Sequence, residues 1–595
     1  MTTAAPSRPV PTTLVGQDSS RRERRRVAGY GVTAGALILA FVFSRFTVDD
    51  AFISWRYGQT LAESGVWNWN GPGAPLVEAY TNPLFTGLSV LPALLGLPPE
   101  LFFKLVAAGL LIAYALVVRR LGLPRPQTLA LYALAALNPV FHIHLFGGLE
   151  TASFALLVAL LFGLVYRRGS LGIVGHMAAL AVALTRPEGM VYAAVAELWA
   201  LGVSRRRRDA YGAALVAVIL AGYWGARAWY FGRFFPNTFY VKSTGKDNWI
   251  DAVRALPSWA LVAAALAVCV MVVLARPLLG GRGSGKAGRL RVRCTPQAMQ
   301  NAVPLLLAML SAAVVLAVYQ TSSLVMNYAG RAGWQVMFPV ALVLLCRPLR
   351  RGSATRPFVC AAALAVALEV LTAGAGTVTR MAALGLIGAA TWLLVRRVRR
   401  LGPGMLLAVA CTVALAVSAT APTELTWASS YRYRLENAHG ALGRALAAEP
   451  SLSGTLAVGD AGLLPLCLRG NQQVVDLLGL ANPHLDGRPA HRALTSVVLF
   501  ARPEDPDGWR AVHPGARPFV AAAQGTDYHS AGLVPIQQGA WFDVRVRQDL
   551  APVLRQRLPE VTERAAAENL RSDLAVLRSH LLDLPYLRSG QCGPR

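Results

Sequence analysis

Long apolar runs alternate with short clusters of arginine through the first 420 residues of this 595-residue chain. So many apolar runs cannot all face one soluble core, and only 15% of the residues are charged, against about 25% in soluble proteins. A soluble multidomain enzyme and a disordered chain are both excluded, which leaves a polytopic α-helical membrane protein.

The clusters set its orientation. Of 58 basic residues only four are lysine, a bias we read as codon history rather than as a nucleic-acid surface. Residues 421–595 hold 18 arginines and 17 acids, so nearly all of the net +27 belongs to the first 420 residues. The clusters are Arg21–Arg26, Arg119-Arg120, Arg167-Arg168, Arg205–Arg208, positions 276–293, Arg347–Arg351 and Arg396–Arg400. Cytoplasmic loops collect arginine. With Arg21–Arg26 inside, about thirteen spans follow, near 28–46, 101–118, 127–141, 150–166, 171–185, 188–203, 210–229, 252–275, 300–319, 333–346, 357–374, 380–395 and 403–420. Every cluster then lies inside, and the last 175 residues lie outside. The run 82–97 is too short for a span and is placed as an interfacial or re-entrant helix on the outer face. The expected domains are a disordered cytoplasmic N-terminus (1–26), a transmembrane domain (27–420) with a first outer loop at 47–100, and an extracytoplasmic domain (421–595). The first span reads as an anchor, not a cleaved signal. Cys467 and Cys592 both lie in the outer domain, where a disulfide is permitted.

This topology gathers carboxylates on the outer face: Asp49, Asp50, Glu63, Glu78, Glu150, Glu188, Asp247 and Asp251. Ionisable groups beside a membrane are costly and mark function. Asp49 and Asp50 directly follow the first span. Adjacent carboxylates raise each other's pKa and can act as base, nucleophile or metal ligand. The segment after them has the apolar spacing of an interfacial helix. Its Trp55 and Tyr57, with Trp67 and Trp69, suit the headgroup belt, or stacking on sugar rings.

The loop from Asp49 to Tyr57 (DD-x-x-x-S-x-R-Y) is followed by a VE-x-YTN-P turn with Glu78, Tyr80 and Asn82. Further on come GGLET (Gly147–Thr151), TRPEG (Thr185–Gly189), RFFPNTFYVK (Arg233–Lys242), GRAGWQVMFP (Gly330–Pro339), VGDAGLLP (Val458–Pro465) and VVDLLGL (Val474–Leu480). In this order the segments resemble the GT-C class of membrane glycosyltransferases, and most closely the actinobacterial terminal β-(1→2) arabinofuranosyltransferase family. The likeness spans nearly the whole chain, and the 330s segment is its loosest match.

The resemblance implies a GT-C-like fold in the plasma membrane with an outer-face active site, a polyprenyl-phosphate sugar donor and an arabinan acceptor, and no nucleic-acid partner. Its chemistry needs a carboxylate to activate an acceptor hydroxyl or attack the anomeric carbon, for which Asp50 and Asp49 are the candidates. It needs cations for the leaving phosphate: His142, His144, Arg186, Arg227, Lys242 and Arg331. Lys242 stands out among four lysines. Glu78, Tyr80, Asn82, Glu150, Asn237 and Tyr240 complete the expected donor site, and Trp55, Arg56, Asp460 and Asp476 the acceptor site. No cofactor is required; a divalent metal could be held by Asp49 and Asp50. Either stereochemical outcome suits the Asp pair. Rival readings are a polyprenyl-phosphate hexose transferase, and a glycolipid transporter, which would place charges mid-membrane and show repeats.

The outer domain reads as mixed α/β. Residues 456–465 suggest strand, turn and helix start, 473–480 a strand and turn, RPFVAAA (517–523) and WFDVRVR (541–547) further strands, and 561–584 a closing helix. The resemblance gives it a role in positioning a glycan, as a carbohydrate-binding module.

Overall fold

The computed structural model describes, with short gaps, residues 30–243, 328–345 and 422–592, together with Ser311 and Val315. The expected spans near 252–275, 357–374, 380–395 and 403–420, most of 300–319, and the N-terminal 1–26 lie outside the described residues. So do Asp247, Asp251 and the Arg21–Arg26, 276–293, Arg347–Arg351 and Arg396–Arg400 clusters.

The described part is mostly helical, with one small sheet near its C-terminus. Pro99–Arg120 and Arg207–Phe231 have 22 and 25 residues and are long and apolar enough to cross a membrane. At 1.5 Å per residue they reach about 33 and 38 Å, against a hydrocarbon core of about 30 Å. Pro139–Phe146 and Thr151–Val165 together qualify as a third, bent by 108°. Gly172–Thr185 and Gly189–Ser204, with 14 and 16 residues, match the expected 171–185 and 188–203 to within a residue at each end and fall short of a full bilayer span. The run expected as one span near 127–141 breaks at Asn138-Pro139. There the Asn138 side chain accepts from Val140 N and Pro139 opens a new helix. The outward surface of these helices is apolar. Ile173, Leu198, Val218 and Trp229 are 74, 69, 67 and 85% exposed, which inverts the soluble pattern and suits contact with lipid.

Asp49–Ser64 follows the first apolar helix, and positions 82–97 form two short helices, Pro83–Leu88 and Val90–Leu94. The Asp49 helix is not the surface amphipathic helix expected from its spacing. Its first ten residues are mostly buried, and Ile53, Tyr57, Trp69, Val77, Ala79 and Tyr80 share one apolar core with the C-terminal domain. The 47–100 segment therefore folds as part of that domain's base.

The sheet has the order β2-β1-β3-β5-β4. Strands β1 (Gly454–Val458), β2 (Gln472–Asp476) and β3 (Leu494–Ala501) are parallel, and β5 (Trp541–Arg547) runs antiparallel to β3 and to β4 (Tyr528–Pro535). Four of the five expected local readings match: the strand, turn and short helix at 454–466, the strand at 472–476, the strand at 541–547 and the closing helix, here Ala551–Asn569 and Asp573–Ser579 with a break between them. The fifth is corrected. RPFVAAA lies in a helix, Arg517–Gln524, because Pro518 sits in its first turn and Phe519, Val520 and Ala523 bury one helical face.

Candidate active site at the start of the Asp49 helix

The chain enters the site on a fixed backbone. Val48 N donates to Gly147 O at 3.1 Å. The buried Lys104 ammonium donates to Phe46 O, to Thr47 Oγ1 at 2.6 Å and to Phe146 O at 2.6 Å, so it ties the residues before Asp49 to the GGLET segment. Thr47 Oγ1 donates to Glu100 at 2.6 Å, and Glu100 pairs with the buried Arg432 of the Pro422–Leu435 helix. The Pro99–Arg120 and Pro422–Leu435 helices are thus joined through Thr47, two residues before Asp49.

Asp49 and Asp50 open a helix whose N-terminal dipole favours negative charge. Successive residues there point about 100° apart, so the two carboxylates part company. Asp49 is 2% exposed. Its Oδ1 accepts from Leu463 N at 2.8 Å, and it faces Asp460, which follows the end of β1. Burial, and then the Asp460 charge, push the Asp49 carboxyl well above its usual range. Asp460 itself is pushed by burial up to about 6. The carboxyl that Asp49 meets here comes from a residue 411 positions away. Gly462 is required by this arrangement, since a Cβ there would collide with the Asp49 side chain and carbonyl.

Asp50 is half-buried and lies within electrostatic reach of Tyr328, Tyr431, Asp460 and Asp476. Tyr328, pushed by burial up to about 12, also senses Arg331, Glu150 and Arg186. Glu150 is the centre of that second cluster. It pairs with Arg186, which also holds Glu188, and with Arg331 at 3.0 Å. Asn82 Nδ2 donates to Glu150 Oε2 at 2.6 Å, while Asn82 Oδ1 accepts from Ser54 Oγ and Thr86 Oγ1. Ser54 stands one turn after Asp50. Arg331 Nε donates to Thr151 Oγ1 at 2.8 Å. Five of the segments singled out in the sequence meet here.

A third cluster joins the remaining segments. Glu78 and Arg227 form a buried ion pair, and Arg227 lies over the Trp224 ring at 4.5 Å. Asn237 N donates to Glu78 O at 2.9 Å. The Asn237 amide reaches Gly479 O and Leu480 O at 2.8 Å and Asn482 O at 2.9 Å. That loop is shaped by Asp476, whose carboxylate accepts from Leu478 N and Ala481 N, both at 2.9 Å. Tyr80 accepts from Trp67 Nε1 at 3.0 Å, and Tyr240 from Phe235 N at 3.3 Å. Lys242 ends the short Asn237–Ser243 helix, and its side chain lies outside the described residues.

Other candidates have structural tasks. Trp55 is 1% exposed and stacked on Phe103 at 5.1 Å, so it offers no face to a membrane or a sugar. Arg56 is buried, donating to Trp69 O at 2.8 Å and to Pro465 O. His142 and His144 are fully buried, against Ala136 O and Ala329 O. Sequence reasoning missed Lys104, Glu100, Tyr328, Tyr431 and His439. Lys104 and Glu100 carried a signal, two ionisable groups one turn apart at the head of an apolar helix. The others carried none. No protein-family model, no curated protein and no solved structure matches this chain.

Proposed function

We propose that this chain is a plasma-membrane glycosyltransferase of GT-C architecture, with about 11–13 transmembrane helices. It moves D-arabinofuranose from a decaprenylphosphoryl-type donor to the non-reducing end of cell-wall arabinan on the outer face. The observation that carries this reading is convergence. Ser54, Asn82, Glu150, Thr151, Arg186 and Arg331, drawn from five separated segments, form one hydrogen-bonded cluster beside Asp50.

Asp50 is the carboxylate for the reacting centre. It takes the proton of the acceptor hydroxyl, or attacks the anomeric carbon, from a half-buried position where electrostatic effects are stronger than in water. Arg186 and Arg331 offer guanidinium groups to the leaving phosphate. Glu150 holds both in place and offsets their charge, so they stay oriented before substrate arrives. Asn82 fixes Glu150 against the Asp50 helix.

The test uses the purified full chain, a radiolabelled polyprenyl-phosphate sugar and a synthetic arabinan acceptor. Asp50→Asn is expected to lower transfer by roughly 10²–10⁴-fold with an unchanged melting profile. Full activity in that variant would exclude the assignment. A panel of donors that differ only in the sugar separates arabinose from hexose transfer.

A further inference from the structure

Three ligand-bearing groups meet where the C-terminal domain sits on the Asp49 helix. One ligand atom from each of Asp49, His439 and Asp460 lies within 4.8 Å of the others. They come from three elements: the first turn of a helix, a widened π turn at Glu436–Gly440, and the segment leaving β1. π turns inside helices are rare and tend to mark functional positions. Here the turn aims His439 Nε2 at Asp460 Oδ2, 2.9 Å away. Two ligands at right angles on an ion with bonds of about 2.1 Å stand about 3 Å apart.

Two further observations point to a ligand. Asp49 Oδ2 is buried and has no hydrogen-bond partner, on a residue only 2% exposed. A buried carboxylate oxygen left without a donor is costly. Negative charge is also in excess. Asp460 lies within reach of Asp49, Asp50 and Asp476. A polar cleft of about 200 Å³, lined by Tyr431, His439, Asp460, Arg502 and Glu504, opens onto the group and gives an ion a way in.

We propose that Asp49, His439 and Asp460 hold a divalent transition-metal ion, with its remaining positions open to the cleft. Two carboxylates and one imidazole suit Mn²⁺ or Zn²⁺ better than Mg²⁺ or Ca²⁺, which prefer oxygen alone. This site differs from an Asp49-Asp50 chelate: Asp50 is left to the reacting centre, and the ion clamps the C-terminal domain to the membrane part. The proposal stands on the ligand geometry and does not require the transferase reading.

The full chain, purified in detergent and stripped with a chelator, is titrated with MnCl₂ and followed by electron paramagnetic resonance. One bound Mn²⁺ per chain is expected, with affinity at least about tenfold weaker in Asp460→Asn. Pulsed spectra should show coupling to one imidazole nitrogen that vanishes in His439→Gln. Metal analysis of the chain as purified covers Zn²⁺. If no ion is retained and none binds, or if Asp460→Asn binds Mn²⁺ as the wild type does, the site is wrong and the two carboxyls share a proton instead. Sugar transfer is assayed on the same samples. Transfer by a chain that retains and binds no ion sinks the metal site alone, and a bound ion without transfer sinks only the transferase.

Discussion

At the scale of single residues, Asp476 shows how burial sets chemistry. It ends β2 opposite Val458 of β1 and is fully buried. Burial pushes its carboxyl up to about 6, against the Ala481 and Leu478 backbone donors that pull it down. The folded state therefore binds more protons than the unfolded one between about pH 4 and 6. Asp476 favours folding most below its unfolded value, and this contribution is lost as pH rises through about 6. The whole effect is of order 3 kcal/mol at most. Asp476→Asn removes it, so the wild type should gain melting temperature relative to the variant as pH falls from 7 to 5. Parallel melting curves across that range would show that Asp476 does not titrate as its burial demands. Burial also explains why Trp55 and Arg56 are poor acceptor contacts: their polar and aromatic surfaces are already spent on Phe103, Trp69 and Pro465.

Between elements, the Glu78–Arg227 pair links the 47–100 segment to the Arg207–Phe231 helix. Both side chains are about 3% exposed. Removing one partner strands the other charge in a dry environment, which costs about 3–5 kcal/mol. Glu78→Gln and Arg227→Gln should each lower the melting temperature of the full chain sharply. The double variant should lose much less than the sum of the two. Additive losses in that cycle would mean that the pair is not coupled. Asn237, whose side chain holds the 479–482 carbonyls, is tied to Glu78 by its backbone N–H, which donates to Glu78 O. Either single variant should therefore also loosen the 476–482 loop, where chemical labelling or proteolysis can follow it.

For the whole molecule, the central fact is that the 47–100 segment and the C-terminal domain share a core. A disulfide between Cys467 and Cys592, 125 positions apart, ties the end of the chain to the short Leu463–Leu466 helix next to the Asp49 contact. Such bonds persist outside the cytoplasm, in keeping with the proposed outer placement. Chain entropy alone would make closing so long a loop worth about 5 kcal/mol, and disulfides typically deliver about 2–4 kcal/mol. A Cys467→Ser/Cys592→Ser variant, or the reduced wild type, should melt correspondingly earlier, and reductant should not affect the variant further. A wild type indifferent to reductant would show that the bond does not form.

The apolar runs were enough to anticipate a mostly helical chain with helices long and apolar enough to cross a membrane, because lipid demands long apolar segments whatever they pack against. Strand and helix signals in the C-terminal domain were legible wherever local pattern and burial agreed. RPFVAAA misled because a short apolar run suits either state until a neighbour selects a face. Asp50, Glu150, Arg186 and Arg331 were legible as site candidates because charge beside a membrane is rare. Their assembly into one cluster was not, nor was the partnership of Asp49 with Asp460 and His439. Sequence spacing reports what a residue can do along its own helix or strand. Which distant side chain closes on it depends on how whole elements pack, and only the folded chain brings positions 49, 439 and 460 within a few ångströms.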